Sequence, residues 1–348
     1  MAENSLISWT HNTQNFWVGC TKCAPECAHC YIGREIRKEN DWELKRDDPD
    51  RFAAEAVNGQ VLRQPWGNVH LTKTWNNPAG WENMLVEHMN ALNRPPGYEV
   101  RLDLPSHGRP DPDRNPEIRC AKIFTNSLAD FFDAAADSKS VSPSPSAASM
   151  ALSQHRRPAQ RCGSTKWRDC AWQVIRETPH CIYQILTKRP ENIMSRLPVG
   201  WPDEFPNVWL GVSTGCRRTL DKLDILRKIP VHPQAVRFVS CEPLLEDIAP
   251  SIDLTGIGWL IAGGESGTGI EYQYGVETHQ DGRRTMKLSW ARNLKRLCYL
   301  KNIPFFFKQV TARKAGTGAD ALGEVIHECP PPPYGEWVAD NFFKKGGE

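Results

Sequence analysis

The sequence predicts an α/β protein built on a sheet of parallel strands. Six apolar runs of four to six residues recur from residue 120 onward, as expected for parallel strands that are buried on both faces. Amphipathic helical stretches separate several of these runs, a pattern typical of parallel βαβ units. Polar residues or glycines follow each run directly, and parallel pairing brings these residues to one edge of the sheet.

The elements can be assigned in chain order. The expected strands are 15–18, 120–124, 181–186, 208–212, 236–239, 259–262 and 304–307, with a further short strand at 69–72. The expected helices are 34–38, 81–92, 166–177, 219–229 and 289–301. Seven strands suit a full or partial TIM-type (β/α) barrel, whose chemistry lies at the carboxyl ends of the strands. A doubly wound open sheet is the alternative.

The predicted barrel covers residues 1–310 and contains one insertion. Residues 137–165 are rich in Ser, Pro and Ala, and such a composition buries too little apolar surface to offset chain entropy. We therefore expect a mobile insertion there. Residues 311–348, which include four consecutive prolines at 330–333, are expected to form a C-terminal extension.

Composition gives little indication of a polyanionic partner. The 43 basic and 41 acidic residues leave a formal charge of +2, so that nucleic-acid binding would need a local patch. We expect no membrane association, because neither a signal-like segment at Met1–Asn4 nor a membrane-spanning apolar run is evident. A reducing cytoplasm is expected, where clustered cysteines indicate metal binding or catalysis rather than disulfides.

Four of the twelve cysteines lie within eleven residues, at Cys20, Cys23, Cys27 and Cys30. Thiolates select zinc, copper(I) or iron–sulfur clusters. Zinc sites commonly place about a dozen residues between their two ligand pairs, whereas only three residues separate Cys23 from Cys27. In a cubane cluster the iron atoms occupy separate positions, so that closely spaced thiolates can each bind a different iron atom. The loop therefore favours an iron–sulfur cluster, with zinc as the alternative.

The inner three cysteines resemble a known superfamily. Cys23, Cys27 and Cys30 have the C-x3-C-x2-C spacing of the radical S-adenosylmethionine (SAM) enzymes. This resemblance implies a [4Fe–4S] cluster on three cysteines, SAM on the open iron, and a partial barrel with the cysteine loop after the first strand. It also implies a reducing partner such as flavodoxin or ferredoxin. The reaction would be reductive cleavage of SAM to a 5′-deoxyadenosyl radical that abstracts hydrogen from a substrate.

A second resemblance extends over most of the chain. The segments that carry it are 9–13, 19–22, 27–31, 186–190, 241–244, 263–267 and 305–309. They are similar to an uncharacterised family common in phages and bacteria, whose motif C-x6-C-x2-C matches Cys20, Cys27 and Cys30. The two resemblances therefore disagree on the third ligand, which is Cys20 in one and Cys23 in the other. The phage association makes a nucleic-acid base a candidate substrate, although the charge balance does not support it; a metabolite or peptide is equally admissible.

Eight further residues are candidate cofactor-binding residues, seven at strand ends and one after the last cysteine. They are Tyr31, Asn126, Ser127, Lys188, Ser213, Gly263, Gly264 and Glu265. Glycines let a ligand approach the backbone, the carboxylate of Glu265 can accept hydrogen bonds from an amino group or ribose, and Lys188 can hold a carboxylate or phosphate. A tight turn at 263–265, helix capping by Ser127 and a solvated helix start at Lys188 are the structural alternatives.

Two non-enzymatic interpretations remain. The cysteine loop could stabilise a zinc- or cluster-containing binding module, or four cysteines could close the cluster into an electron carrier. Convergent polar residues at one edge of a barrel argue against a binding module, because binding a partner does not require them.

Overall fold

The computed structural model describes residues 5, 7–27, 30, 56–57, 60–61, 70–72, 75, 77–92, 119–137, 166–266, 284–333 and 336–337. The strands are β1 (Asn12–Thr13), β2 (Trp17–Val18), β3 (Ala56–Val57), β4 (Gln60–Val61), β5 (His70–Leu71), β6 (Arg119–Thr125), β7 (Cys181–Thr187), β8 (Val208–Ser213), β9 (Arg237–Cys241), β10 (Trp259–Gly263), β11 (Phe305–Gln309) and β12 (Glu336–Trp337). The α-helices are α1 (Asn77–Leu92), α2 (Trp167–Arg176), α3 (Asp221–Lys228) and α4 (Leu288–Leu300).

The main sheet contains seven parallel strands in the order β1-β6-β7-β8-β9-β10-β11 and curls into a half-barrel. The expectation of a partial barrel with parallel strands is therefore confirmed. Six of the seven expected strands and the four expected helices from residue 81 onward agree with the observed elements to within a few residues. The expected helix at 34–38 and the expected insertion, apart from Asp137, lie outside the described residues.

The two faces of the sheet are both apolar but have different partners. In β7, Tyr183 and Ile185 belong to the core that also contains helix residues such as Leu223 of α3. Ile182 and Leu186 alternate with them and belong to a second cluster on the opposite, concave face. Strands buried on both faces explain why the sequence shows continuous apolar runs.

Aromatic rings fill the concave face. The ring centroid of Trp9 lies 4.5 Å from that of Phe124 and 6.1 Å from that of Trp259. Gly211 makes room for another ring, because a Cβ atom at this position would lie 2.4 Å from the ring of Phe238. The inside of the half-barrel is thus packed with aromatic rings.

The first strand of the main sheet differs from the expected one. β1 pairs in parallel with β6 (Asn12 with Ile123), whereas β2 pairs antiparallel with β5 outside the main sheet. The expected strand at 15–18 is therefore wrong as a barrel strand, and the cysteine loop follows β2. The physical reason is that β1 is polar yet buried. Asn12 is fully buried, and its backbone pairs along the edge of β6. A search for apolar runs therefore does not find this strand.

The described part of the C-terminal extension packs against the barrel. β12 pairs in parallel with β6 at its amino-terminal half, and the ring of Trp337 lies 5.8 Å from that of Trp209. The indole nitrogen of Trp259 donates to the carbonyl of Glu328 at 2.9 Å. Within the part of the chain that the structure describes, no helix combines the length and apolar character needed to cross a bilayer.

Candidate functional site

Polar side chains meet at the carboxyl edge of the half-barrel. They follow, or end, five strands of one sheet: Asn126 after β6, Lys188 after β7, Ser213 in β8, Glu242 after β9 and Lys308 in β11. Ser213 and Lys308 alternate in step with the rings of the concave-face cluster, which places these two side chains on that face. Glu242 and Lys308 form an ion pair of 3.0 Å between Oε1 and Nζ. The sequence-based expectation that strand-end residues converge is met by this edge.

The cysteine loop is held over this edge by three sets of contacts, of which the first involves Thr21. Its backbone N–H and hydroxyl donate to Asp133 Oδ2 at 2.8 and 3.0 Å. Arg189, just after β7, donates to the carbonyl of Thr21 at 2.7 Å and lies 3.3 Å from Asp133. These contacts attach the start of the loop to the ends of β6 and β7.

The second set involves Glu26, which is 3% exposed. Its Oε1 accepts from the backbone N–H of Gly215 and the hydroxyl of Thr219, both at 2.8 Å. Burial acts to raise the pKa of Glu26, but these hydrogen bonds and the charge of Lys222 outweigh it, and the pKa is lowered. Gly215 is required here because a Cβ atom would lie 1.8 Å from the carbonyl oxygen of Pro243. Glu26 thus attaches the middle of the loop to the end of β8.

The third set involves Arg284, which donates to the carbonyl of Pro25 at 2.8 Å. The same guanidinium lies 2.5 Å from Glu265 Oε1, and the backbone N–H of Arg284 donates to Glu265 Oε2 at 2.8 Å. Both carboxylate oxygens of the buried Glu265 therefore contact Arg284. In this structure Glu265 supports the cysteine loop from the end of β10 rather than presenting a free carboxylate to a ligand.

The four thiols form two neighbouring pairs. Cys20 is buried with Cys30, Val18 and Leu128 in a small apolar cluster. Cys23 is exposed, and its thiol interacts with that of Cys27. This interaction, with the charge of Lys188, overcomes burial and lowers the pKa of Cys27 to about 5. Burial, followed by the nearby Cys30, raises the pKa of Cys20.

The four thiols of the loop can be compared with the two kinds of site that the sequence suggests, a zinc site and an iron–sulfur cluster. Among the described residues, no three His, Cys, Asp or Glu side chains are close enough together to bind one metal ion. A single zinc ion would need sulfur ligands at about 2.3 Å. Iron–sulfur clusters are held by cysteine thiolates, and the four free thiols of the anchored loop are ligands of that chemistry.

The remaining expected residues differ in how far they are engaged. Asn126 is 2% exposed; its Oδ1 accepts from the backbone N–H of Phe16 at 3.1 Å, while its Nδ2 has no hydrogen-bond partner among the described residues. The hydroxyl of Ser127 accepts from Asn15 Nδ2 at 3.0 Å. Ser213 is fully buried and donates to the carbonyl of Glu242 at 3.3 Å. Tyr31 lies outside the described residues.

Protein atoms occupy the space beside both expected glycines. A Cβ atom on Gly263 would lie 2.9 Å from Glu242 Oε1, so that this glycine leaves room for the Glu242–Lys308 pair. A Cβ atom on Gly264 would lie 2.2 Å from the backbone nitrogen of Thr311. Close packing of the chain against itself therefore accounts for both glycines.

Sequence reasoning missed four residues that hold the loop: Thr21, Glu26, Asp133 and Arg284. Thr21 and Glu26 lie between the cysteines, so proximity alone could have drawn attention to them. Asp133 and Arg284 belong to segments without a motif, and no sequence signal indicates their partners.

Comparison with known proteins identifies one family. The family model described as Protein of unknown function (DUF5131) matches residues 4–156 and 160–328. No curated protein and no solved structure matches the chain.

Proposed function

The chain belongs to this family of unknown function, and from its own residues we propose that it is a radical SAM enzyme on a TIM-type half-barrel. One observation carries the proposal: four free thiols lie on a single loop that is anchored over the carboxyl edge of a sheet of parallel strands. In α/β barrels this edge is where catalytic groups lie. The cysteine spacing that resembles radical SAM enzymes supports the same assignment.

Cys20, Cys27 and Cys30 are the ligands that we propose for a [4Fe–4S] cluster. The thiol of Cys20 is buried against Cys30 and also lies within the electrostatic reach of Cys27. Cys23 is exposed, and the cysteine with which it interacts is Cys27. Cys23 therefore lies at the outer side of the loop, as a fourth thiol that does not bind the cluster.

When bound, the cluster would supply the electron that cleaves SAM and thereby generates the radical. The role of the protein is to place the reactants and to exclude water. Asn126 offers a buried amide N–H that lacks a partner among the described residues, and we propose that it donates to SAM. The aromatic rings around Trp9 close the floor of the site, because a radical must be shielded from solvent and from side reactions.

The proposal is tested by anaerobic reconstitution with iron and sulfide. We expect about four irons per chain, the content of one cubane, and formation of 5′-deoxyadenosine with dithionite and SAM. Cys27→Ala and Cys30→Ala should lose the iron and its visible absorbance. Cys298→Ala serves as the matched control, because Cys298 is a buried cysteine in α4.

Two results would contradict the proposal. Stoichiometric zinc without iron would indicate a zinc-stabilised binding module. A four-iron protein that never cleaves SAM would indicate an electron carrier.

A further inference from the structure

Lys188 has an unusual position at the carboxyl edge. It follows β7, and Asp130 Oδ2 accepts its backbone N–H at 2.9 Å. Its carbonyl lies 3.9 Å from the sulfur of Cys23. It is two residues beyond Leu186, which belongs to the cluster on the concave face. Lys188 is half-buried, and its ammonium group makes no hydrogen bond or ion pair with any residue that the structure describes.

The groups around this ammonium are negatively charged or can become so. Cys27, Cys30, Glu26 and Asp130 all lie within electrostatic range of this ammonium. The other lysine at this edge, Lys308, is neutralised by Glu242 at 3.0 Å. Lys188 is thus a partly buried cation beside the cysteine loop.

We propose that Lys188 is a positioning residue for charge: its ammonium faces the cluster held by Cys27 and Cys30 and makes the cluster easier to reduce. This inference rests on the proposed cluster but not on which of Cys20 and Cys23 is the third ligand. A cluster on thiolates beside two carboxylates resists an added electron. A fixed positive charge nearby offsets that repulsion, and at an effective dielectric constant of about 20 one such charge changes an equilibrium by more than a factor of ten.

The role differs from the one that the sequence suggested, which was to hold the carboxylate of SAM or a substrate phosphate. Groups of the loop and Asp130 lie within electrostatic range of Lys188, and a cation beside them acts first on the redox centre. The two roles predict different measurements. A charge-balancing residue changes the reduction potential without SAM present, whereas a carboxylate-binding residue changes SAM affinity.

The test uses reconstituted full-length protein with the variants Lys188→Met, Lys188→Gln and Lys188→Arg. Lys228→Met is the control, because it removes the same charge from an exposed position in α3. The midpoint potential is measured by optical and EPR titration with dithionite as the electron source, and SAM binding by equilibrium dialysis. Values are compared per bound cluster, so that a lower iron content does not affect them.

We expect K188M and K188Q to lower the ratio of reduced to oxidised cluster at a fixed potential by about tenfold or more, which for one electron is about 59 mV. K188R should stay near the parent chain, K228M should not shift, and SAM binding should change by less than about threefold. An unchanged potential with weaker SAM binding would overturn the inference in favour of carboxylate binding. Loss of all iron from both K188M and K188Q would overturn it in favour of a role in holding the loop. A parent chain that binds no iron would instead refute the proposed function.

Discussion

We expect the substitution Asp133→Ala to detach the start of the cysteine loop from the ends of β6 and β7. Asp133 is 3% exposed and accepts four contacts. The backbone N–H and hydroxyl of Thr21 donate to Oδ2, and the guanidinium of Arg189 lies 3.3 Å away. The N–H of Ala135 donates to Oδ1 at 3.0 Å, so that Asp133 caps the short 3₁₀ helix Ala134–Ala136. The substitution removes all four at once and leaves Arg189 with one anionic partner fewer.

The expected cost follows from these contacts. A hydrogen bond to a charged group is worth about 1.5–3 kcal/mol, and a lost helix cap typically costs about 1 kcal/mol. Removing one member of a buried ion pair costs about 3–5 kcal/mol. Thr21 is only half-buried, so that water can replace part of what it loses. We therefore expect Asp133→Ala to lower the free energy of unfolding by about 3–5 kcal/mol, and Asp133→Asn by less.

Urea unfolding of the metal-free chain measures this change, as a shift of the midpoint at constant slope. Asp224→Ala is the matched control: Asp224 also pairs with an arginine, Arg227, but its side chain is 69% exposed. Surface pairs of this kind contribute at most about 1 kcal/mol. A cost below about 1 kcal/mol for Asp133→Ala, or an equal cost for both variants, would show that Asp133 does not anchor the loop.

Two further predictions concern ligand assignment and glycine packing. Cys20→Ala should lose the cluster on anaerobic reconstitution and Cys23→Ala should keep it, as measured by iron per chain. The opposite outcome would make Cys23 the third ligand. If both variants keep the cluster and the parent chain does not cleave SAM, all four cysteines close the cluster. Gly264→Ala should lower the free energy of unfolding by about 1–3 kcal/mol, because its Cβ atom would lie 2.2 Å from the nitrogen of Thr311. Gly80→Ala in α1, where a Cβ atom would meet no atom within 4 Å, should instead raise it by about 0.5–1 kcal/mol. A Gly264→Ala protein that unfolds like its parent but binds SAM more weakly would restore a role for Gly264 in ligand binding.

The sequence predicted the fold where burial and residue type agree. The strands β6 to β11 are apolar because both of their faces are covered, so a search for apolar runs finds them. β1 failed this test because Asn12 is polar and yet fully buried. Its place is determined by backbone pairing with β6, which lies more than a hundred residues away. Pairing of this kind leaves no periodicity in the sequence.

The candidate site could be predicted only where the residues that form it lie close together in the sequence. The spacing of the cysteines lies within eleven residues and could be read directly, and the strand ends followed from the fold. The anchors of the loop are distant: Thr21 and Asp133 are 112 positions apart, and Pro25 and Arg284 are 259 apart. Glu265 was expected to bind a ligand because its partner, Arg284, could not be identified without the structure.

The cysteine loop and the carboxyl edge of the barrel must therefore be thermodynamically linked. Between Cys20 and Cys27 only Cys20, Glu26 and Cys27 are buried, so that the loop has almost no core of its own. Its shape depends on contacts from Asp133, Gly215 and Arg284, which lie near different strand ends. Any group that binds the thiols only in this arrangement stabilises the folded chain. Since this linkage is reciprocal, we expect each anchor that is removed to weaken the binding of any such group by the share of loop order that the anchor supplies.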